Sequence, residues 1–160
     1  MAPLEVLKPG CSEDQALSQL ELIQLWYEVS TWASREGKPR ELPRSHRKWL
    51  MEEMDWGPDP DHAGVFDGIR DRVSEDPLEI QVRGGWHSLG EAPETAEFYI
   101  LLCTGGPAVR ITGDIRGDSP VRCRLEHQDW GTPWTEVVSL TKEQREALSW
   151  YCEQFYWDEI

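Results

Sequence analysis

An α+β fold, with N-terminal helices followed by a four-stranded antiparallel meander and a C-terminal helix packed on the sheet, is predicted by three observations. Apolar residues recur at helical spacing through the first half of the chain, alternate with polar residues from residue 78 onward, and return to helical spacing after Thr141. With 160 residues and 39% hydrophobic content, the chain is long enough for one core and too short for two. A single domain spanning 1–160 follows, with a helical part at about 12–75, an antiparallel sheet at about 78–126 and a closing helix at about 141–157.

Ser12-Glu13-Asp14-Gln15 is a capping-box pattern that predicts a helix start, with the serine hydroxyl on a first-turn N–H. Leu17, Leu20, Ile23, Leu25, Trp26 and Val29 give that helix a wide apolar face, and Gly37-Lys38-Pro39 stops it. A second helix is expected from about Pro43 to Met54, and a third from Ala63 to Ser74 carrying Val65, Phe66, Ile69 and Val73. Leu78, Ile80 and Val82 alternate with Glu79, Gln81 and Arg83, predicting a first strand with one buried face. Phe98 to Cys103 is apolar at every other position and between, which suits a central strand covered on two sides. Val109, Ile111 and Ile115, then Val121, Cys123 and Leu125, alternate on either side of Gly117-Asp118-Ser119-Pro120 and complete the meander. Thr141-Lys142-Glu143-Gln144 is a second capping box, opening a helix with Leu148, Tyr151, Cys152 and Phe155 on one side.

The formal charge is -14, from 30 acidic and 16 basic residues, so DNA, RNA and anionic membranes are repelled and a basic protein is the expected partner. Met1 to Gly10 has no cationic start followed by an apolar run, and no stretch has eighteen consecutive apolar residues, so a cytoplasmic location is expected. The four cysteines (Cys11, Cys103, Cys123, Cys152) form no C-x-x-C pair, which fits a reduced compartment. Nine tryptophans argue for a packed structure despite the charge.

The carboxylates are ordered. Asp14, Glu21 and Glu28 lie seven apart, nearly one azimuth of a helix. Asp67, Asp71 and Glu75 lie four apart, a rise of about 6 Å per step, which resembles the spacing of successive phosphates along one strand of nucleic acid. Glu52, Glu53, Asp55, Asp59 and Asp61 add an acidic loop cluster. Like charges four residues apart weaken a helix by a few tenths of a kcal/mol per pair. Two readings account for them: a solvated face, or a surface that imitates nucleic acid to capture a basic groove. Against this acidity, the segment Arg35 to Lys48 holds six basic residues (Arg35, Lys38, Arg40, Arg44, Arg47, Lys48) and two acidic ones. It reads as a solvated turn and helix end, or as a local anion site.

Asp59, Asp61 and His62, with His127 or Asp129 joined by folding, are the candidate metal ligands, but no recognised ligand spacing is present and no metal or cofactor is expected. The cysteines and histidines carry no nucleophile signature, so a non-enzymatic protein is expected. The glycine pairs Gly84-Gly85 and Gly105-Gly106 do not open helices and read as turns. Trp130-Gly131-Thr132-Pro133-Trp134, with Trp86, forms either an aromatic platform for a partner or a loop anchored to the sheet.

The strings Thr104-Gly105-Gly106-Pro107-Ala108-Val109-Arg110-Ile111 and Gln128-Asp129-Trp130-Gly131-Thr132-Pro133-Trp134, with the terminal Phe155-Tyr156, resemble a group of short acidic proteins carried by plasmids, integrative elements and phages of Gram-negative bacteria. The resemblance spans roughly residues 78–157. It implies a setting in which accessory genes inhibit host defence, and so an anti-CRISPR-type inhibitor that acts as a DNA mimic on a CRISPR effector. The alternative is a small binding or regulatory module of a mobile element that uses the tryptophan loop, with acidity serving solubility alone.

Overall fold

A computed structural model describes residues 11–57, 60–91 and 94–157. Helix α1 (Cys11–Ser34) is the spine of the fold, buried along Ala16, Leu20, Ile23, Trp26, Val29, Trp32 and Ala33. This broad apolar face lets α1 touch the sheet, α3 (His62–Glu75) and α4 (Lys142–Glu153) at once. A single 3-10 turn, Pro39–Glu41, leads into α2 (Arg44–Glu53). Five antiparallel strands follow in sequence order: β1 (Glu79–Gly84), β2 (Thr95–Cys103), β3 (Ala108–Arg116), β4 (Ser119–Gln128) and β5 (Thr135–Glu136). The helices lie over β3 and β4, and each of the large aliphatic side chains sealed there contributes about 1.5–3 kcal/mol.

The helix and strand positions match the periodicity, except that α4 ends at Glu153, short of the expected 157 and with Phe155 beyond it, and five further details depart from it. Ser12 lies within α1, and its hydroxyl binds residues at the end of β4 instead of capping its own helix. The sheet has five strands, the fifth being a two-residue pairing of Thr135 and Glu136 with β4 that is too short to show a period. β1 is exposed along its whole length, because the helices that seal β3 and β4 do not extend over it. β2 buries one face, through Phe98, Ile100 and Leu102, and leaves the other half-exposed. In β4 the alternation breaks at Arg122, whose φ of 54° marks a bulge where the register with β3 shifts, so Pro120 takes the buried position opposite Ile115 and Val121 pairs with Asp114.

The second capping box holds as read: Thr141 Oγ1 accepts from the Gln144 backbone at 3.1 Å, and the Gln144 side chain accepts from the Thr141 N–H at 2.9 Å. Tertiary polar bonds fasten the layers. Tyr151 on α4 donates to Asp76 at 2.7 Å, and Trp157 Nε1 donates to the Cys152 carbonyl at 2.8 Å. Trp32 Nε1 donates to the Lys38 carbonyl at 2.9 Å, and the His62 ring lies tilted against the Trp32 ring while bonding the Gly37 carbonyl, which pins the turn after α1.

Candidate partner-binding surfaces

The α3 stripe is built by the arithmetic of the helix. Val65, Ile69 and Val73 are sealed against α1, and the residue two places beyond each (Asp67, Asp71 and Glu75) lies about 200° around the axis, facing solvent. None of the three has an ion partner among the described residues. On α1, Asp14 and Glu21 are exposed along the narrow outer strip left by the buried face. Glu28, farther along α1 and partly exposed, engages the His46 ring on α2.

The loop cluster is looser. Glu52 sits 3.9 Å from Lys48 one helical turn back, Glu53 is exposed, and its carbonyl accepts from Arg72 at 2.7 Å. Asp55 is exposed with φ at 54°, and Asp61 occupies the N-cap of α3 without a side-chain hydrogen bond there. Asp59 lies outside the described residues. Arg70 and Arg72 flank the α3 stripe, leaning on Phe66 and Trp49, so the negative band has cationic margins.

Among the described residues, no group of three side chains that could hold a metal converges. His62 is held by Gly37 and Trp32. His127 and Asp129 meet Ser12 instead, whose hydroxyl donates to Asp129 Oδ2 at 2.8 Å and, with its proton so placed, accepts from His127 Nδ1 at 2.8 Å. Asp129 also accepts from the Ser12 N–H at 3.1 Å. In a nucleophilic serine the proton goes to the imidazole; here the carboxylate takes it and the serine is sealed from solvent, so the trio serves as a clasp.

Tryptophans divide by role. Trp26, Trp32 and Trp157 are core residues, and Trp26 Nε1 is sealed with no partner among the described residues. Trp134 lies over the Arg110 guanidinium at 4.1 Å, and Arg110 is itself paired with Glu126 at 2.8 Å. Trp130 is 84% exposed at the tip of a turn closed by Asp129 and Thr132. The tryptophan loop is thus half anchor and half free surface.

Comparison with protein-family models, with curated proteins and with solved structures gives no match in any of the three.

Three further surfaces escape the sequence reading. The outer face of the sheet forms a shallow depression of about 470 Å³ lined by alternating cations and carboxylates, including Arg83, Glu97, Arg110, Arg124 and Glu126. Beside α2, a groove of about 460 Å³ has Trp32, Leu42, Leu50 and Met51 in its walls and Arg44, Arg47 and Lys48 at its rim, so the basic segment borders an apolar hollow. At the β1 edge, Leu78, Ile80 and Val82 stand open, followed by the fully exposed Trp86 and Leu89. The alternation of β1 signals a strand but not its lack of cover, which depends on where the helices end.

No described helix is long and apolar enough to cross a membrane.

Proposed function

We propose that the chain is a non-enzymatic protein-binding inhibitor whose outward carboxylates enter the nucleic-acid groove of a basic partner. The observation that carries this reading is the α3 stripe: three solvent-facing carboxylates at about 6 Å intervals, each free of an ion partner among the described residues, on a helix whose opposite face is locked into the core. A rigid row of anions is what a groove lined with Lys and Arg is built to receive. Asp14 and Glu21 on α1 are exposed carboxylates as well. The resemblance of residues 78–157 to proteins of mobile elements supports a bacterial defence complex, a CRISPR effector foremost, as that partner.

The test is binding to a purified CRISPR effector complex with and without its DNA. Mutual exclusion of protein and DNA is expected, with affinity falling as salt rises from about 50 to about 200 mM. Asp67→Lys, Asp71→Lys and Glu75→Lys together are expected to weaken binding at least about tenfold with the helical circular dichroism retained. Simultaneous binding of DNA and protein, or insensitivity to salt, overturns the mimic mechanism.

A second reading is favoured by the exposed Trp130: a binding module of the tryptophan loop, with the acidity serving solubility. Trp130→Ala separates the two, since it abolishes partner capture under this reading and leaves it intact under the first.

A further inference from the structure

The two edges of the sheet are finished differently. β5 closes one edge with two residues, a length too short to recruit another strand. β1 forms the other edge with six residues, all exposed, with no proline and no lysine, and its outward edge is paired with no other strand among the described residues. Its inner side chains carry on the buried face of the sheet, since Ile80 pairs with Ile100 and Val82 with Phe98, yet Leu78 is 61%, Ile80 39% and Val82 44% exposed. An apolar strip continuous with the core therefore ends in open space.

The sequence of this edge is complementary to itself. Paired antiparallel about Gln81, a second β1 places Ile80 opposite Val82 on the core-side face, so four aliphatic side chains meet across the axis. On the other face it places Glu79 of each copy opposite Arg83 of the other, two opposite-charge cross-strand pairs. Each partner is already held for the role: Tyr99 donates to Glu79 at 2.7 Å, and Arg83 is held by Glu97, both from β2. A slip of one residue turns the aliphatic side chains against the charged face, so the register is strongly selected. The same pairing brings Leu78 opposite Gly84 and carries Trp86 of one copy toward Pro77 and Leu78 of the other.

We propose that the protein is a two-fold dimer in which the β1 strands of two copies pair antiparallel about Gln81 and join the sheets into one of ten strands. The occupant of the open edge is a second copy of this chain, because that strand supplies apolar, charge and register complementarity together. The proposal is independent of the partner bound by the acidic stripe.

Sedimentation equilibrium of the full chain across a concentration series is expected to show twice the chain mass of 18.5 kDa. Glu79→Arg and Arg83→Glu each set like charges opposite one another at both ends of the axis and are each expected to weaken the dimer about tenfold. Mixed one to one, the two variants regain both opposite-charge pairs, and a heterodimer about as tight as the parent is expected. Gln81→Cys meets its own copy within disulfide reach. It is expected to form a reducible cross-linked dimer under mild oxidation faster than Glu79→Cys, whose position faces Arg83 of the second copy. A monomer at every concentration overturns the proposal. So does a dimer in which Gln81→Cys cross-links no faster than Glu79→Cys, the result expected if another surface makes the dimer or the edge serves a foreign strand.

Discussion

Tyr151→Phe deletes one oxygen from the centre of the fold. The ring is sealed and lies nearly parallel to Trp26, with centroids 6.5 Å apart, and both features survive the change. What is lost is the 2.7 Å hydrogen bond to the Asp76 carboxyl, which ties α4 to the end of α3. A hydrogen bond to a charged group is worth about 1.5–3 kcal/mol, and the half-buried carboxylate is left without that donor, so a loss in this range is expected at neutral pH. Burial holds Asp76 above its ordinary value of 3.8, and the Tyr151 bond draws it partly back. With its folded pKa raised, Asp76 favours the fold most fully below pH 3.8, and this contribution disappears as pH rises through the folded pKa. Phenylalanine removes the lowering influence and moves the folded pKa higher still, so the variant is weakest above that pKa, where the carboxylate is ionised, and its deficit narrows below pH 3.8. Burial and the neighbouring Asp76 also push the Tyr151 phenol upward, so it stays a donor throughout. Urea unfolding followed by tryptophan fluorescence, at neutral pH and below pH 3.8, measures both effects. A loss under about 0.5 kcal/mol at neutral pH, the level of an ordinary surface change, or an equal loss at both pH values, refutes the reasoning.

Two other substitutions test how the layers are held. A Cβ added at Gly113 lies 2.6 Å from Phe98 Cε1 and 2.9 Å from the Val121 carbonyl, and Phe98 is backed by Trp157 at 4.4 Å, so Gly113→Ala is expected to cost about 1–3 kcal/mol in thermal or urea melts. Ser12→Ala strips His127 Nδ1 and Asp129 Oδ2 of their shared hydroxyl, and about 1–3 kcal/mol is expected in the same melts.

Local signals were legible and tertiary ones were not. The Thr141 box could be read because both of its bonds close within four residues. The Ser12 box carries the same residue pattern, yet a carboxylate from the far end of β4 takes its hydroxyl. The strand character of β1 shows in its alternation, but its exposure reflects the reach of helices elsewhere in the chain. β5 has too few residues to have a period, and the break in β4 arises from a left-handed Arg122 that no composition rule flags. Among the carboxylates, helical spacing placed Asp67, Asp71 and Glu75 on one outward face. It could not foresee that Glu28 would turn to His46, a residue brought near only by the fold of α2.

The clasp between Ser12 and residues 127 and 129 also has a meaning in time. Its ends are separated by 115 and 117 positions, and α1 ends at Ser34, so a ribosome working at about 5–20 residues per second completes the first helix roughly 5–19 s before supplying its anchor. During that interval α1 presents Leu20, Ile23, Trp26 and Val29 before the β3–β4 layer that receives them is complete. That apolar face stays partly uncovered until β3, β4 and α4, which pack on α1, have all been synthesised.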